Sequence, residues 1–382
     1  MSDKQIQMVD LHGQYLRLKK EIDAAMQSVI ESSAFINGPQ VKTFAGHLGA
    51  FLDIPYVVTC ANGTDALQIA LMALELRPGD EVILPAFTYV AAAEVVALLG
   101  CIPVLVDVDP RTFNINPTMI EAAISSKTKA IIAVHLFGQS CDMDAIMKIA
   151  DAYRLFVIED NAQSIGASYT FPDGRVRKTG TIGHIGTTSF FPSKPLACYG
   201  DGGAVMTSDP VWGERIRMIA NHGQERKYHH KVIGCNSRLD TLQAAILDVK
   251  LSHLSDFTKA RQSVASAYDA VLSGCKGMII PEKSGFSTHI YHQYTIQVED
   301  AKRDSLQALL KAKGIPTMIY YPLPLHVQEG YRKIVRMSDP HTIATRLSQS
   351  VLSLPIHTEM DENEIQYITE TIVETTRAVE NI

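Results

Sequence analysis

Between residues 56 and 160 the chain alternates short apolar, β-branched runs with segments of helical periodicity. YVVTC (56–60) precedes GTDALQIALMALEL, and EVILP (81–85) precedes TYVAAAEVVALLG. IPVLVDV (102–108) precedes a helix opening at NPTMIEAAI, AIIAVHLF (130–137) precedes CDMDAIMKIADAY, and LFVIED (155–160) closes the series. Runs that are apolar throughout need cover on both faces, which helices between successive strands supply. The pattern predicts βαβ units around a mainly parallel central sheet, an α/β fold. Ligands of such sheets gather beyond the carboxyl ends of the strands, so chemistry is sought just after each run.

A length of 382 residues exceeds what one core usually supports and predicts two lobes. Residues 11 to 33 read as a helix that ends near the turn-forming Asn37-Gly38-Pro39. After about residue 250 the texture changes to a long helix, an alternating strand IYHQYTIQV (290–298), a helix at 303–313 and a C-terminal helix from Asp361. We therefore expect an N-terminal segment and large α/β domain over 1–250 and a smaller α+β domain over 251–382. The net charge of −6 argues against nucleic acid or an anionic membrane surface as partner, so an anionic ligand needs a local cluster of donors. Six dispersed cysteines without a C-x-x-C pair fit neither a zinc site nor a disulfide scaffold, and no metal is expected. The N-terminal stretch lacks an apolar leader and no apolar run reaches the ~18 residues of a membrane span, so a cytoplasmic location is expected.

Four features fall at strand ends. Asn62-Gly63-Thr64-Asp65 follows YVVTC and opens a helix, whose free N–H groups and dipole suit a phosphate; a capped helix start reads equally well. Asp160 ends LFVIED, where a carboxylate can pair with a pyridinium nitrogen; a helix cap or metal ligand is the plainer alternative. Ser189 closes IGTTSF, its hydroxyl free for the same phosphate or for its own backbone. Lys194, in SFFPSKPLACYGDGG, is a lone cation between an FFP wall and a glycine cluster. Burial there lowers a lysine pKa and frees its amine to form a Schiff base with an aldehyde cofactor; a surface-loop lysine is the alternative. Phosphate-binding helix start, ring-stacking aromatic (Tyr89), acidic strand end and lysine follow the order of a fold-type I pyridoxal phosphate enzyme.

NGTDALQIAL, PAFTYVAAAE, IEDNAQSIGA, SFFPSKPLACYGDGGA and GCNSRLDTLQAAIL resemble the DegT/DnrJ/EryC1 family of sugar-nucleotide aminotransferases. The resemblance runs from VDLHGQY to SLPIH, nearly the whole chain. It implies an aspartate aminotransferase-like fold and pyridoxal 5'-phosphate as cofactor, with Lys194 as the catalytic Schiff-base residue. It further implies that Asp160 pairs with the ring nitrogen, Gln163 contacts the phenolic oxygen and Tyr89 stacks on the ring. Gly63, Thr64 and Ser189 are implied to hold the phosphate, with Asn236 reaching it from a second subunit. Arg238 is implied to line the substrate side of that shared site, making a homodimer the active unit. Some members carry histidine at the lysine position and act as dehydratases; Lys194 favours transamination here. The family often shows His-Tyr-Pro where this chain has Tyr320-Tyr321-Pro322, so one substrate contact departs from the pattern.

QERKYHHK (224–231) gathers Arg226, Lys227, His229, His230 and Lys231 in an acidic protein, as a nucleotide diphosphate clamp or as a solvated basic loop. Together with SKPLACYGDGG and GCNSRLDTLQAAIL, it looks most like the subgroup that aminates UDP-linked 3-keto-2-acetamido glucuronic acid, and the family resemblance implies glutamate, its usual amino donor. A dTDP-linked 3-keto-6-deoxyhexose is the alternative substrate, and a non-catalytic regulator on the same fold is the alternative of another class. No G-x-G-x-x-G follows the first strand, which sets aside a dinucleotide oxidoreductase.

Overall fold

The computed structural model describes residues 5–299, 302–338 and 340–380; the first four residues of the stretch read as lacking a leader lie outside them. Helix α1 (Leu11–Ser32) starts at Asp10, whose carboxylate accepts the Gly13 N–H at 2.7 Å. Asn37-Gly38-Pro39 ends nothing further but opens a second helix, α2 (Pro39–Leu52), with proline in the first turn, where its missing N–H costs nothing. Then follow β1 (Tyr56–Cys60), α3 (Gly63–Ala73), β2 (Glu81–Pro85), α4 (Ala91–Leu98), β3 (Ile102–Val106), α5 (Pro117–Ala123), β4 (Thr128–Val134), α6 (Met143–Tyr153) and β5 (Phe156–Asp160). A ribbon of β6 (Ser168–Thr170) and β7 (Val176–Lys178) leads to β8 (Ile185–Ser189), β9 (Gly203–Thr207) and α7 (Pro210–Ala220). The hairpin β10 (Gln224–Arg226) and β11 (His229–His230) precedes α8 (Thr241–Ser252) and α9 (Leu254–Leu272). The rest comprises β12 (Met278–Ile279), β13 (Tyr294–Val298), α10 (Arg303–Ala312), β14 (Arg336–Met337), α11 (Thr342–Ser350), β15 (Val351–Leu354) and α12 (Glu362–Glu380).

Eight strands form the main sheet in the order β1-β9-β8-β5-β4-β2-β3-β14. From β8 to β14 every pairing is parallel, as the apolar runs predict. The βαβ reading of YVVTC needs correction: β1 is an edge strand that pairs antiparallel with β9, which is itself antiparallel to β8. The cause is the loop at 190–202, which turns the chain straight back on itself, as only antiparallel neighbours allow. Two reversals restore the direction of β1. Its carboxyl end, where α3 begins, therefore lies on the same side as Asp160 and Ser189.

Both sheet faces are covered. Val82 and Leu84 enter one apolar cluster while Ile83 between them enters another, so β2 is fully buried. A third cluster, of Phe44, Leu48, Phe190 and Leu247, ties α2 and α8 to the loop after β8. The three-stranded sheet β12-β13-β15 packs Tyr294, Ile296 and Leu352 against Tyr268, Leu310 and Ile368 of the surrounding helices. Among the described residues no helix is long and apolar enough to cross a membrane.

Glu159, next to Asp160, points the other way into the core and is fully buried. Its carboxylate accepts His135 Nε2–H and Gly180 N–H at 2.8 Å, and the Ile182 and Gly183 N–H groups at 2.6 Å. Because His135 Nδ1 accepts the Cys141 N–H, the ring proton sits on Nε2 and donates to the carboxylate. Burial by itself would raise the Glu159 pKa, but His135 and the backbone donors outweigh it and hold the carboxyl below its ordinary value. Glu159→Gln faces an amide N–H₂ toward groups that are themselves donors, and should cost about 2–4 kcal/mol of stability in a denaturant titration. This stabilisation is complete above the unfolded carboxyl pKa of ~4.3 and fades as pH falls through the lower folded value. The gap between wild type and variant should therefore narrow in acid; a gap that widens there contradicts the assignment.

Candidate active site

Three strand ends and one loop meet around a cavity of about 580 Å³. At the carboxyl end of β1, Asn62 caps α3 by accepting the Asp65 N–H at 2.8 Å. Capping leaves the first-turn N–H groups of Gly63 and Thr64 without helical partners, and both residues line the same cavity as Ser189, whose Oγ accepts the Phe191 N–H at 3.4 Å. Gly63 is what allows this approach, since a Cβ there would stand 2.6 Å from Ser189 Cβ. Two free N–H groups, a hydroxyl and a helix dipole make an anion cradle.

Asp160 ends β5 at 9% exposure. It accepts the Ala162 N–H at 3.1 Å, so the turn-capping reading of this residue is also realised. Burial raises its pKa, and neither that hydrogen bond nor the charge of Lys194 cancels the rise. The carboxylate is thus short of a cation. Gln163 is oriented by its neighbours: Oε1 accepts the Phe137 N–H at 2.8 Å and Nε2 donates to the Tyr321 hydroxyl at 3.1 Å. Burial raises the Tyr321 pKa, which keeps its own O–H available as a donor.

The loop from β8 to β9 is anchored by its apolar residues. Phe190 packs edge-on against Phe44 at 5.4 Å, and Leu196 and Cys198 are fully buried. Lys194 N–H donates to Phe191 C=O at 2.8 Å, a tight turn that leaves its side chain to the cavity. As a residue Lys194 is partly exposed because it faces this opening, yet the protein around its amine lowers the pKa, with Asp160 only partly opposing. A lysine shifted this way offers an unprotonated amine nearer neutral pH.

The cavity brings together nine of the expected residues: Gly63, Thr64, Tyr89, Asp160, Gln163, Ser189, Lys194, Tyr320 and Tyr321. Tyr89 is 58% exposed at the mouth, its ring 6.2 Å from that of Tyr321. The other four lie elsewhere in this chain. Asn236, exposed, bridges Asn221, while the neighbouring Ser237 donates to Asp65 at 2.6 Å and ties that segment beneath α3. Arg238 lines a separate cleft of about 710 Å³ whose lining includes neither Lys194 nor Asp160. Arg226 and His229 lie on the exposed hairpin β10–β11. Sequence reasoning missed Thr88, His292 and Gln293, which also line the cavity. The last two precede β13, in a stretch read as regular strand from 290; the strand begins only at Tyr294.

This donor set fits pyridoxal phosphate. The cradle matches a phosphate, the undercompensated Asp160 matches a protonated ring nitrogen, and the Lys194 amine matches an aldehyde. Thr88 supplies a further buried hydroxyl without a partner among the described residues. Fold and site together define a fold-type I pyridoxal phosphate enzyme.

The chain belongs to the DegT/DnrJ/EryC1/StrS aminotransferase family, whose profile matches residues 16–373. It is 47% identical to a UDP-2-acetamido-2-deoxy-3-oxo-D-glucuronate aminotransferase of Pseudomonas aeruginosa, over 95% of this chain and 98% of that one. It is 45% identical to a pleiotropic regulatory protein of Geobacillus stearothermophilus, over 97% and 98% of the two chains. The crystal structure of S. venezuelae DesV superimposes with a TM-score of 0.93 at 36% identity, covering 97% of this chain and 98% of that one. A Bacillus subtilis NtdA structure with bound cofactor PMP superimposes at 0.89 and 30% identity, covering 99% and 86%. The protein is a pyridoxal phosphate-dependent aminotransferase.

Gly63→Ala should push Ser189 out of the cradle and weaken cofactor retention about tenfold or more, a loss of ~1.4 kcal/mol. Absorbance after exhaustive dialysis reads this, with circular dichroism confirming that the fold persists; unchanged retention contradicts the cradle.

Proposed function

We propose that this enzyme moves an amino group from glutamate to the 3-keto carbon of a nucleotide-linked sugar, with UDP-2-acetamido-2-deoxy-3-oxo-glucuronic acid preferred, in bacterial surface polysaccharide synthesis. The observation that carries this reading is the cavity that unites Lys194, Asp160 and the Gly63–Ser189 cradle in a chain so similar to an aminotransferase of that sugar. When bound, pyridoxal phosphate acts as an electron sink for the carbon whose proton is moved. The protein residues do the rest. Asp160 would hold the ring nitrogen's proton, the helix start and Ser189 would hold the phosphate, and Gln163 would serve the phenolic oxygen. Tyr89, at the mouth, would cover the ring. Lys194 would hold the aldehyde group, and its amine would move the proton at the reacting carbon.

A uronate adds a carboxylate that a 6-deoxyhexose lacks. Arg238, Arg226, His229, Tyr320 and Tyr321 are the substrate-side donors we assign to the sugar nucleotide. A site built around a charged group rejects analogues lacking it, because buried donors are then left unpaired. A panel of keto sugars should show kcat/KM at least about tenfold higher for the UDP-linked 3-keto uronate than for a dTDP-linked 3-keto-6-deoxyhexose, ~1.4 kcal/mol of discrimination. Lys194→Ala should abolish both. Preference for the deoxy sugar would overturn the substrate; no turnover of any keto sugar would favour a regulatory role, the second reading that the Geobacillus stearothermophilus relative's name raises.

We further propose a homodimer in which Asn236 and Arg238 complete the partner's site. Their absence from this chain's own cavity, on a segment pinned beneath α3, supports that reading. Mixing Lys194→Ala with Arg238→Ala subunits then yields hybrids with one intact site of two, so a one-to-one exchange mixture should recover about a quarter of wild-type activity. Inactivity after demonstrated subunit exchange counts against sharing.

A further inference from the structure

His292, 5% exposed, lines the same cavity as Lys194, Asp160 and Gln163. A neighbouring turn sets its place. Gly138, at φ 112°, lies so close that a Cβ there would stand 2.8 Å from the backbone nitrogens of Tyr291 and His292. Ile290 N–H donates to Gly138 C=O at 2.8 Å and Gln293 N–H to Phe137 C=O at 3.2 Å. This is also the turn whose Phe137 N–H orients Gln163, so two cavity side chains share one support.

The ring's two nitrogens differ. Nδ1 is buried and has no hydrogen-bond partner among the described residues, in a residue that lines the cavity. An N–H buried without an acceptor forfeits its hydrogen bond to water, so the ring proton belongs on Nε2. Burial, then the charges of Lys194 and Arg261, push the ring's pKa well below its ordinary value, and the imidazole stays neutral. Among the described residues no hydrogen bond joins His292 to Lys194. The space they share is open to a reactant atom.

We propose that His292 is a catalytic residue whose Nε2–H donates to the carbonyl oxygen of the keto group being aminated, in the space it shares with Lys194. The proposal rests on the aminotransferase reading above. A neutral imidazole N–H polarises a carbonyl and keeps its own proton, so the ring neither gains nor loses charge during the reaction. Lys194 thereby remains the sole proton carrier at the carbon, and the carbonyl oxygen leaves as water with the two protons that the incoming amino group gives up as the carbon–nitrogen double bond forms.

His292→Phe removes the donor, His292→Gln replaces it near the Nε2 position, and His292→Asn places an amide nearer Nδ1. One donor to a developing oxyanion is worth about 10²–10³ in rate. We expect kcat for the keto sugar to fall about 100-fold in His292→Phe, with KM and cofactor content unchanged, to recover in His292→Gln, and to stay low in His292→Asn. Nitrogen NMR of ¹⁵N-histidine-labelled holoenzyme should show His292 as the neutral Nε2–H tautomer across about pH 6 to pH 9. A Nδ1–H tautomer, or His292→Phe within about threefold of wild type, overturns the proposal. A wild-type enzyme inactive on every keto sugar overturns instead the reading beneath it.

Discussion

A lysine amine that faces the same cavity as a buried carboxylate is the constraint that the rest of this molecule serves. Lys194 and Asp160 are each driven toward neutrality by burial, and each is only partly relieved by the other. Such a pair is costly in an empty core and useful around a ligand that supplies an aldehyde and a protonated ring nitrogen. Supporting elements hold it open. Phe190, Leu196 and Cys198 anchor the lysine loop from below, and the strands carrying Asp160 and Ser189 are neighbours in register, Asp160 opposite Thr187.

Close backbone approach does the remaining positioning. Gly63 lets the start of α3 rest on Ser189, and Gly203 lets β9 pass the Asn62 carbonyl, which a Cβ would meet at 2.4 Å. Gly138 brings the Phe137 turn against His292 while the same turn orients Gln163. Glu159 shows how closely the two sides of β5 are specialised. One carboxylate faces the core with four donors, and the next faces the cavity with one. The first is a structural anchor and the second is kept reactive, because strand geometry sends successive side chains to opposite faces.

The sequence by itself determined the strand runs from YVVTC to LFVIED, the helix start at Gly63 and the carboxylate, serine and lysine at the strand ends. These are local signals, since apolar periodicity and turn residues act within a few positions of where they occur. Only the tertiary structure decided that β1 is an antiparallel edge strand, because that depends on pairing with β9, over 140 residues later. It alone brought Thr88 and His292 to the cavity, the latter from a stretch whose alternation reads as strand but whose first four residues bend around Gly138. It also parted Arg238 and the hairpin of Arg226 and His229 from the lysine, although the motifs read as one set. Which side chains share a cavity is a sum of long-range contacts, and those are written in no single segment.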